Sequence, residues 1–545
     1  LTVAALTLSY AICFAVLKCL KLRNGEWSTI DVANNLYWFD LILSPWWREM
    51  TFEQFSYFLT GIVIQPISLL VGLLCKLLRT PYVLPVLQAL SIAACIPLLY
   101  AVALRRLGSP WQALVVAAAF ALNPYINTET MFGFRWDALA LPLMIALVLA
   151  RQLNNRRLFW AVLVLGCACK LNILLINGIY CAIAYRRSGL SYLRRGVWVC
   201  AIWFVAALSA STLIKLYAPN LIFDQTPPAM LSANLLGPLA DDPSMLWPVL
   251  GDFFGSGAWL WLPEYLLPLL FLPLAAPAAL LPVLVEFGYV LLFSLGLEQM
   301  PGLNILHELM LDKGYLFIYP AVFLVGYLHL ASIEAIASLR QRYGVRRIHA
   351  LAGLWLVMAL ATHWFLTPSI FGPVPLTDKF NLDYYRMSDH QRTALAAFES
   401  FPKDLQPLLS STFCERPDGY PVRDYIAEWL PAEYHEFNVV LVDLYAFEFA
   451  ISRQRLIDKL LFLTVSHPRM GVTYFEDGII EMRMGAPRTR NREVAQFIAE
   501  NLPLLLHNLP NPYTDGGQID LGPGAERRFY SPTQLTSADR QRLGL

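Results

Sequence analysis

The stretch Ser28–Trp47, STIDVANNLYWFDLILSPWW, sets Asp31, Asn34, Asn35 and Asp40 among aromatic residues just after an apolar run. A carboxylate in such a place can take a proton from a hydroxyl, and amides beside it can hold a polar substrate. Ser28 or Thr29 suits a helix N-cap with Asp31 in the first turn. Helical spacing then puts Asp31, Asn34, Asn35 and Trp38 on one face, with Asp40 roughly opposite. The alternative reading is an interfacial amphipathic helix whose polar face is merely solvated. Further along, Arg135 and Asp137 flank Trp136 in FGFRWDALA, Lys170 and Asn172 interrupt an apolar run, and Glu264 and Glu286 lie in or near others. Ionisable groups in a membrane span are costly, so they point to function first. Asp137 is also a natural helix N-terminal carboxylate, and Glu264 can reach an interface. His307, Glu308, Asp312 and Lys313 read as a solvated outer loop. Were Asp31, Asp137, Lys170 and Glu286 to converge, they would line one outward-facing polar cavity.

The elements that must position these residues are membrane helices. Of 545 residues, 57% are hydrophobic and only 15% charged, with a mean hydropathy of +0.50, which marks a polytopic membrane protein. A net charge of +1 gives no case for a nucleic-acid partner. Apolar runs able to cross a bilayer are Leu1–Leu20, Phe58–Leu78, Tyr82–Leu104, Trp111–Ile126, Ala138–Ala150, Leu158–Ile173, Leu174–Tyr185, Val197–Tyr217, Trp259–Leu274, Pro277–Leu297, Leu316–Ile333 and Ala350–Phe365. Leu1–Leu20 lacks a small-residue cleavage site and is expected to be a retained helix rather than a signal peptide. Basic loops at Arg105–Arg106, Arg151–Arg157, Arg186–Arg195 and Arg340–Arg347 belong inside by the positive-inside rule. Outer loops are then expected at 21–56 and 218–258, and everything after Phe365 falls outside. Lys18, Lys21 and Arg23 break this alternation, since they follow the first helix on the outer side. The crossing count also requires Phe58–Leu78, which contains Pro66, to be a short re-entrant or surface helix. Eight of nine cysteines lie in or beside apolar runs and read as small hydrophobes. Cys414 stands alone, so no disulfide framework is expected.

The texture changes after Phe371. We read residues 1–371 as the membrane domain, 372–388 as a linker, 389–510 as a small soluble α/β domain and 511–545 as a Pro/Gly-rich tail. HQRTALAAFESF is an amphipathic helix, PLLSSTF and FNVVLVDLY are strands, and RQRLIDKLLFLT and NREVAQFIAENL are helices. MGVTYFEDGIIEMRMG is a hairpin turning at Glu476-Asp477-Gly478. His435, His467 and Asp443 show no triad or metal spacing and read as structural or solvated. No Walker A, G-x-G-x-x-G, H-E-x-x-H or G-x-S-x-G motif occurs. No matching broken halves of a secondary transporter are visible either.

Four stretches, in order, carry a resemblance: LPVLQALSIAACIPLLYAVALRRLGSPWQALVVAAAFALNPYI, FGFRWDALALPL, LFLPLAAPAALLPVLVEF and GVTYFEDGIIEMRMG. Together they resemble a family of bacterial multispanning proteins catalogued as domain of unknown function 2079, over about Ile30 to Gly485. That family is similar to the GT-C glycosyltransferases. The resemblance implies an all-α membrane domain of about 11–13 helices, an extracytoplasmic C-terminal domain and residence in a bacterial inner membrane. It implies a polyprenyl-phosphate-linked sugar donor, with Asp31 as catalytic base or metal-facing acid. Asp137 stands where the family has Glu in Phe-His-Pro-Glu, and Glu286 matches its membrane-buried Glu. Arg135 or Lys170 would hold the departing phosphate, and Asn34, Asn35 and Lys313 would contact substrate. The chain departs from the pattern at Arg135 (family His), Trp136 (family Pro), Leu171-Asn172 (family Glu-Asp) and Lys313 (family His). A non-catalytic subunit of a larger membrane complex is the alternative these departures favour, and the need for a divalent cation stays open.

Overall fold

The computed structural model of the protein describes residues 1–24, 32, 35, 36, 39, 63–217, 261–282, 284, 321–368, 372–400, 407–409, 439–445, 453–503 and 505. Its helices are α1 (Thr2–Asn24), α2 (Ile67–Leu78), α3 (Val83–Leu107), α4 (Pro110–Ala121), α5 (Pro124–Met131), α6 (Trp136–Gln152), α7 (Arg156–Cys167), α8 (Leu171–Ser188), α9 (Ser191–Tyr217), α10 (Trp261–Leu266), α11 (Ala321–Tyr343), α12 (Val345–Leu366), α13 (Asp389–Glu399), α14 (Arg453–Leu461) and α15 (Asn491–Pro503). Five of the described helices are long and apolar enough to cross a membrane, at Thr2–Asn24, Val83–Leu107, Ser191–Ala210, Phe323–Tyr343 and Val345–Leu366. The chain is a mostly helical membrane protein with a small sheet near its C-terminus.

Within the bundle, α3 is the hub, packing against α1, α4 and α6, while α7 pairs with α6 and α8 with α9. Gly326 lets α11 approach α6, since a Cβ there would sit 2.3 Å from Leu141 Cδ1. Helix α2 has 12 residues and so reaches about 18 Å, short of a bilayer core. That length suits the surface or re-entrant element expected of this segment.

Four expected spans take other forms among the described residues: Leu158–Ile173 divides into α7 and α8 just before Leu171, Pro277–Leu297 opens on a 3₁₀ turn, and two more break as follows. Trp259–Leu274 is no continuous helix from Trp261 on: α10 covers six residues, and short 3₁₀ turns at Leu267–Leu269, Leu272–Ala275 and Pro277–Ala279 follow. Pro263, Pro268, Pro273 and Pro277 recur every four or five residues, and each removes a backbone donor and clashes with the preceding turn. Trp111–Ile126 is also broken. α4 stops at Ala121, Asn123 caps a new short helix through Tyr125 N and Ile126 N, and Pro124 takes its first position.

The expected linker is packed rather than loose. Val374, Tyr384 and Tyr385 join the bundle core, Asn24 Nδ2 donates to Tyr385 O, and Asp378 N donates to Trp364 O. Beyond it stands a separate sheet of order β1-β2-β4-β3, from β1 (Pro407–Leu409), β2 (Val439–Asp443), β3 (Met470–Glu476) and β4 (Ile479–Met484). β1 runs parallel to β2, and the other pairings are antiparallel. β2 is buried along its whole length, as its unbroken apolar run requires. Asp477 and Gly478 both have positive φ and make a two-residue turn inside the Glu476-Asp477-Gly478 stretch read from the sequence, Glu476 closing β3. Gly478 is obligatory, because a Cβ there would lie 2.6 Å from the Tyr445 ring. Helices α14 and α15 complete this second core.

Candidate functional site: a buried polar knot around a short helix

Helix α5 is buried over all eight residues, though its sequence, PYINTETM, is largely polar. A short helix leaves its last carbonyls without intrahelical donors. Here those carbonyls meet side chains from two other helices. Lys18 Nζ donates to Phe132 O at 2.7 Å, and Lys21 Nζ donates to Met131 O at 2.9 Å. Gln88 Nε2 donates to Glu129 O and Phe132 O, at 3.0 and 3.3 Å. The other end of that amide accepts from Arg135 N at 2.7 Å, so Gln88 ties the end of α5 to the start of α6. The two lysines that break the positive-inside alternation are thus inward-facing. They share one stripe of α1 with Tyr10 and Phe14, and cations near a helix C-terminus also oppose its dipole favourably. Tyr10 Oη donates to Asn127 Oδ1 at 2.8 Å and lies 3.0 Å from Thr130 Oγ1.

The charged residues of the knot pair with one another. Arg135 Nη1 lies 3.0 Å from Glu129 Oε1, both side chains being nearly inaccessible, and the guanidinium also covers the Phe132 ring. Lys170 Nζ donates to both oxygens of Asp137, at 3.0 and 2.9 Å. Lys170 keeps 29% of its side chain exposed against 4% for Asp137, so it is the more accessible partner. Burial pushes the Glu129 carboxyl up to about 8, against the opposing pull of Arg135; α5 lies outside the five candidate spans. On the far side, Asn127 Nδ2 donates to Ala121 O and lies 3.2 Å from His363 Nδ1. His363 Nε2 lies 2.9 Å from Pro375 O, which fixes the proton on Nε2 and leaves Nδ1 to accept. Glu264, read as an ionisable group in or near a span that can also reach an interface, accepts from Tyr125 Oη at 3.2 Å.

The first-loop stretch reaches this knot. Val32, Leu36 and Phe39 pack into the bundle core at helical spacing, with Val32 and Phe39 each 1% exposed. Asn35 Oδ1 accepts from Trp136 Nε1 at 3.1 Å, and Phe39 meets the Trp136 ring edge-on. Asn35 is therefore engaged with the bundle rather than simply solvated. Of the residues picked from the sequence, Arg135, Asp137 and Lys170 come together, and Asn35 joins them through Trp136. Asp31, Asn34, Glu286 and Lys313 lie outside the described residues. Sequence reading missed Glu129, Gln88 and Asn127 as parts of the site. The lysines carried a signal, their anomalous place in the topology; polar α5 carried a weaker one. Among the described residues, no group of three or more His, Cys, Asp or Glu side chains is placed to hold a metal ion.

A second charged cluster lies in the C-terminal domain. His390, in the first turn of α13, sits between Asp443 Oδ2 (3.0 Å from Nε2) and Asp477 Oδ2 (2.9 Å from Nδ1). Burial alone would lower its basicity, but the two carboxylates outweigh burial and push it up to about 10. Asp443 Oδ1 also accepts from Tyr445 N, so Asp443 has the structural role read for it and is not solvated. His435 and Cys414 lie outside the described residues.

Comparison of the chain with protein-family models and with curated proteins gave no match.

Proposed function

We propose that the chain is a GT-C-type glycosyltransferase-like protein, multispanning in a bacterial inner membrane, with its C-terminal domain extracytoplasmic. It would move a sugar from a polyprenyl-phosphate-linked donor to an acceptor on the outer side. The observation carrying this reading is the Asn35–Trp136 hydrogen bond. It joins the carboxylate-bearing first loop to the segment holding Arg135 and Asp137, where a transferase of this type needs its acid and cations. The knot also gathers basic side chains, Lys21, Arg135 and Lys170 beside Lys18, around Glu129 and Asp137, a donor set that suits a phosphate-bearing substrate. In the reaction, the acceptor hydroxyl attacks the anomeric carbon and passes its proton to Asp31. The bond from that carbon to the phosphate oxygen breaks, and polyprenyl phosphate leaves with the electron pair. Lys170, the more accessible member of its pair with Asp137, would face the leaving phosphate.

One observation favours the second reading, a non-catalytic subunit: Arg135 and Lys170 are already engaged by Glu129 and Asp137. Envelope glycans and lipids compared by mass spectrometry in wild-type, deletion and Asp31→Asn cells separate the two. The transferase reading expects deletion and Asp31→Asn to lose the same sugar modification while the mutant protein accumulates normally. A change on deletion that Asp31→Asn does not reproduce would sink it and direct attention to partner chains.

A further inference from the structure

At the end of the bundle where α6 meets α7 and α8 meets α9, the chain gathers arginine. Arg151 closes α6, Arg156 and Arg157 open α7, Arg186 and Arg187 close α8, and Arg194 and Arg195 are the fourth and fifth residues of α9. No Asp or Glu occurs in the sequence between Asp137 and Asp224. Among the described residues no carboxylate pairs with any of these arginines, whereas Arg106 on neighbouring α3 is held by both oxygens of Glu334.

Cytoplasmic loops collect cations in any membrane protein, but three features go beyond that. Four of these arginines stand at or near the N-termini of α7 and α9, the helix end where a cation opposes the dipole and an anion is favoured. Their placement costs helix stability unless an anion is present. Second, Tyr192 is 4% exposed with Arg156 over its ring at 5.7 Å, and among the described residues its hydroxyl has no hydrogen-bond partner. The buried Tyr180 hydroxyl is in the same position, and Arg151 acts electrostatically on both rings. Third, an outward stripe of α9 begins one turn beyond Arg194: Trp198, Ile202 and Val205 are 64%, 67% and 60% exposed. Guanidinium forks match phosphate bidentately, and an apolar stripe leading from them matches an acyl chain.

We propose that this arginine-rich end is a binding site for anionic phospholipid, its guanidinium groups and tyrosine hydroxyls holding the headgroup phosphate and the Trp198–Ile202–Val205 stripe carrying an acyl chain. The site is separate from the polar knot and does not depend on the transferase reading.

The test is native mass spectrometry of the purified full chain in detergent, titrated with phosphatidylglycerol or with phosphatidylcholine of the same acyl chains. Phosphatidylglycerol should occupy the protein about tenfold more readily. Arg156→Gln/Arg157→Gln/Arg194→Gln/Arg195→Gln should bring it to the phosphatidylcholine level. Arg340→Gln/Arg342→Gln/Arg346→Gln/Arg347→Gln, which removes equal charge elsewhere, should leave the preference intact. Should the first quadruple variant fail to fold by size exclusion, its two constituent double variants should each lower the preference. Equal binding of the two lipids, or an equal loss in both quadruple variants, would overturn the proposal. Displacement of phosphatidylglycerol by inorganic phosphate would overturn it in favour of a free-anion site.

Discussion

The knot around α5 and the His390 clamp both bury charge, but they solve different problems. In the bundle, a polar eight-residue helix is enclosed by apolar neighbours, and its terminal carbonyls would be orphaned without Lys18, Lys21 and Gln88. The charges there satisfy backbone, and each other, where water is excluded. In the C-terminal domain the backbone is already paired by the sheet. His390 instead fastens α13 to the end of β2 and to the β3–β4 turn, side chain to side chain. The first arrangement is needed to make the interior viable at all. The second adds tightness to a domain that has its own apolar core. Loss of a charge should therefore cost more in the knot, and with alkaline pH the cost of that loss should grow in the knot and shrink in the clamp.

Arg135→Met tests the larger effect. It removes the cation facing Glu129, and the carboxyl then charges without a partner as pH rises. The glutamate's raised folded value means the wild-type protein already loses stability as pH climbs from the ordinary carboxylate range through about 8. The variant should lose more, about 3 kcal/mol at pH above 8 and less below it, read as thermal inactivation of the detergent-solubilised chain. A pH-independent difference would mean that the ion pair is not what matters at this site.

His390→Gln comes next. Its imidazolium is basic in the fold, so the clamp's contribution is complete below pH 6.5 and fades as pH rises through about 10. At pH 6 the variant should weaken the domain by about 2 kcal/mol, seen as faster amide exchange in β2 and the β3–β4 hairpin of the full chain. At pH 11 variant and wild type should exchange alike. A difference that persists there would show that packing against Tyr445, not charge, does the holding.

Tyr10→Phe should cost about 1 kcal/mol, since it removes one hydroxyl that meets Asn127 and Thr130 without opening a cavity. Arg106→Gln should be smallest, about 0.5 kcal/mol or less, because its pair with Glu334 is partly exposed. Were Arg106→Gln to exceed Tyr10→Phe in the same thermal assay, the claim that buried polar contacts dominate this bundle would fail.

The C-terminal domain was the more legible region. The apolar run of β2, the Glu476-Asp477-Gly478 turn and the helices after them follow from local pattern, because strand alternation and turn chemistry act over a few residues. In the membrane part, five of the expected apolar runs stand as helices long enough to cross a bilayer. Breaks were less legible, although the proline spacing after Trp261 does announce one. Arg135, Asp137 and Lys170 were picked as charges in apolar surroundings, and that rule holds because such charges need partners. Asp137 and Lys170 partner each other, a pair within the convergence considered from the sequence, but the partners of Arg135 were not readable: Glu129 sits in a segment with no repeat, and Gln88 lies within a long apolar helix.

The sequence by itself determined that this is a membrane protein with a mixed α/β unit near its C-terminus, since hydropathy and periodicity are properties of contiguous residues. It also determined that Lys18 and Lys21 needed an explanation. Only the tertiary structure decided what the explanation is. Lys18 meets a carbonyl 114 positions away and Asn24 one 361 positions away, and His390 chooses two carboxylates 53 and 87 positions distant. Such pairings depend on how helices and turns are brought together in space, and no local pattern encodes the partner of a buried charge.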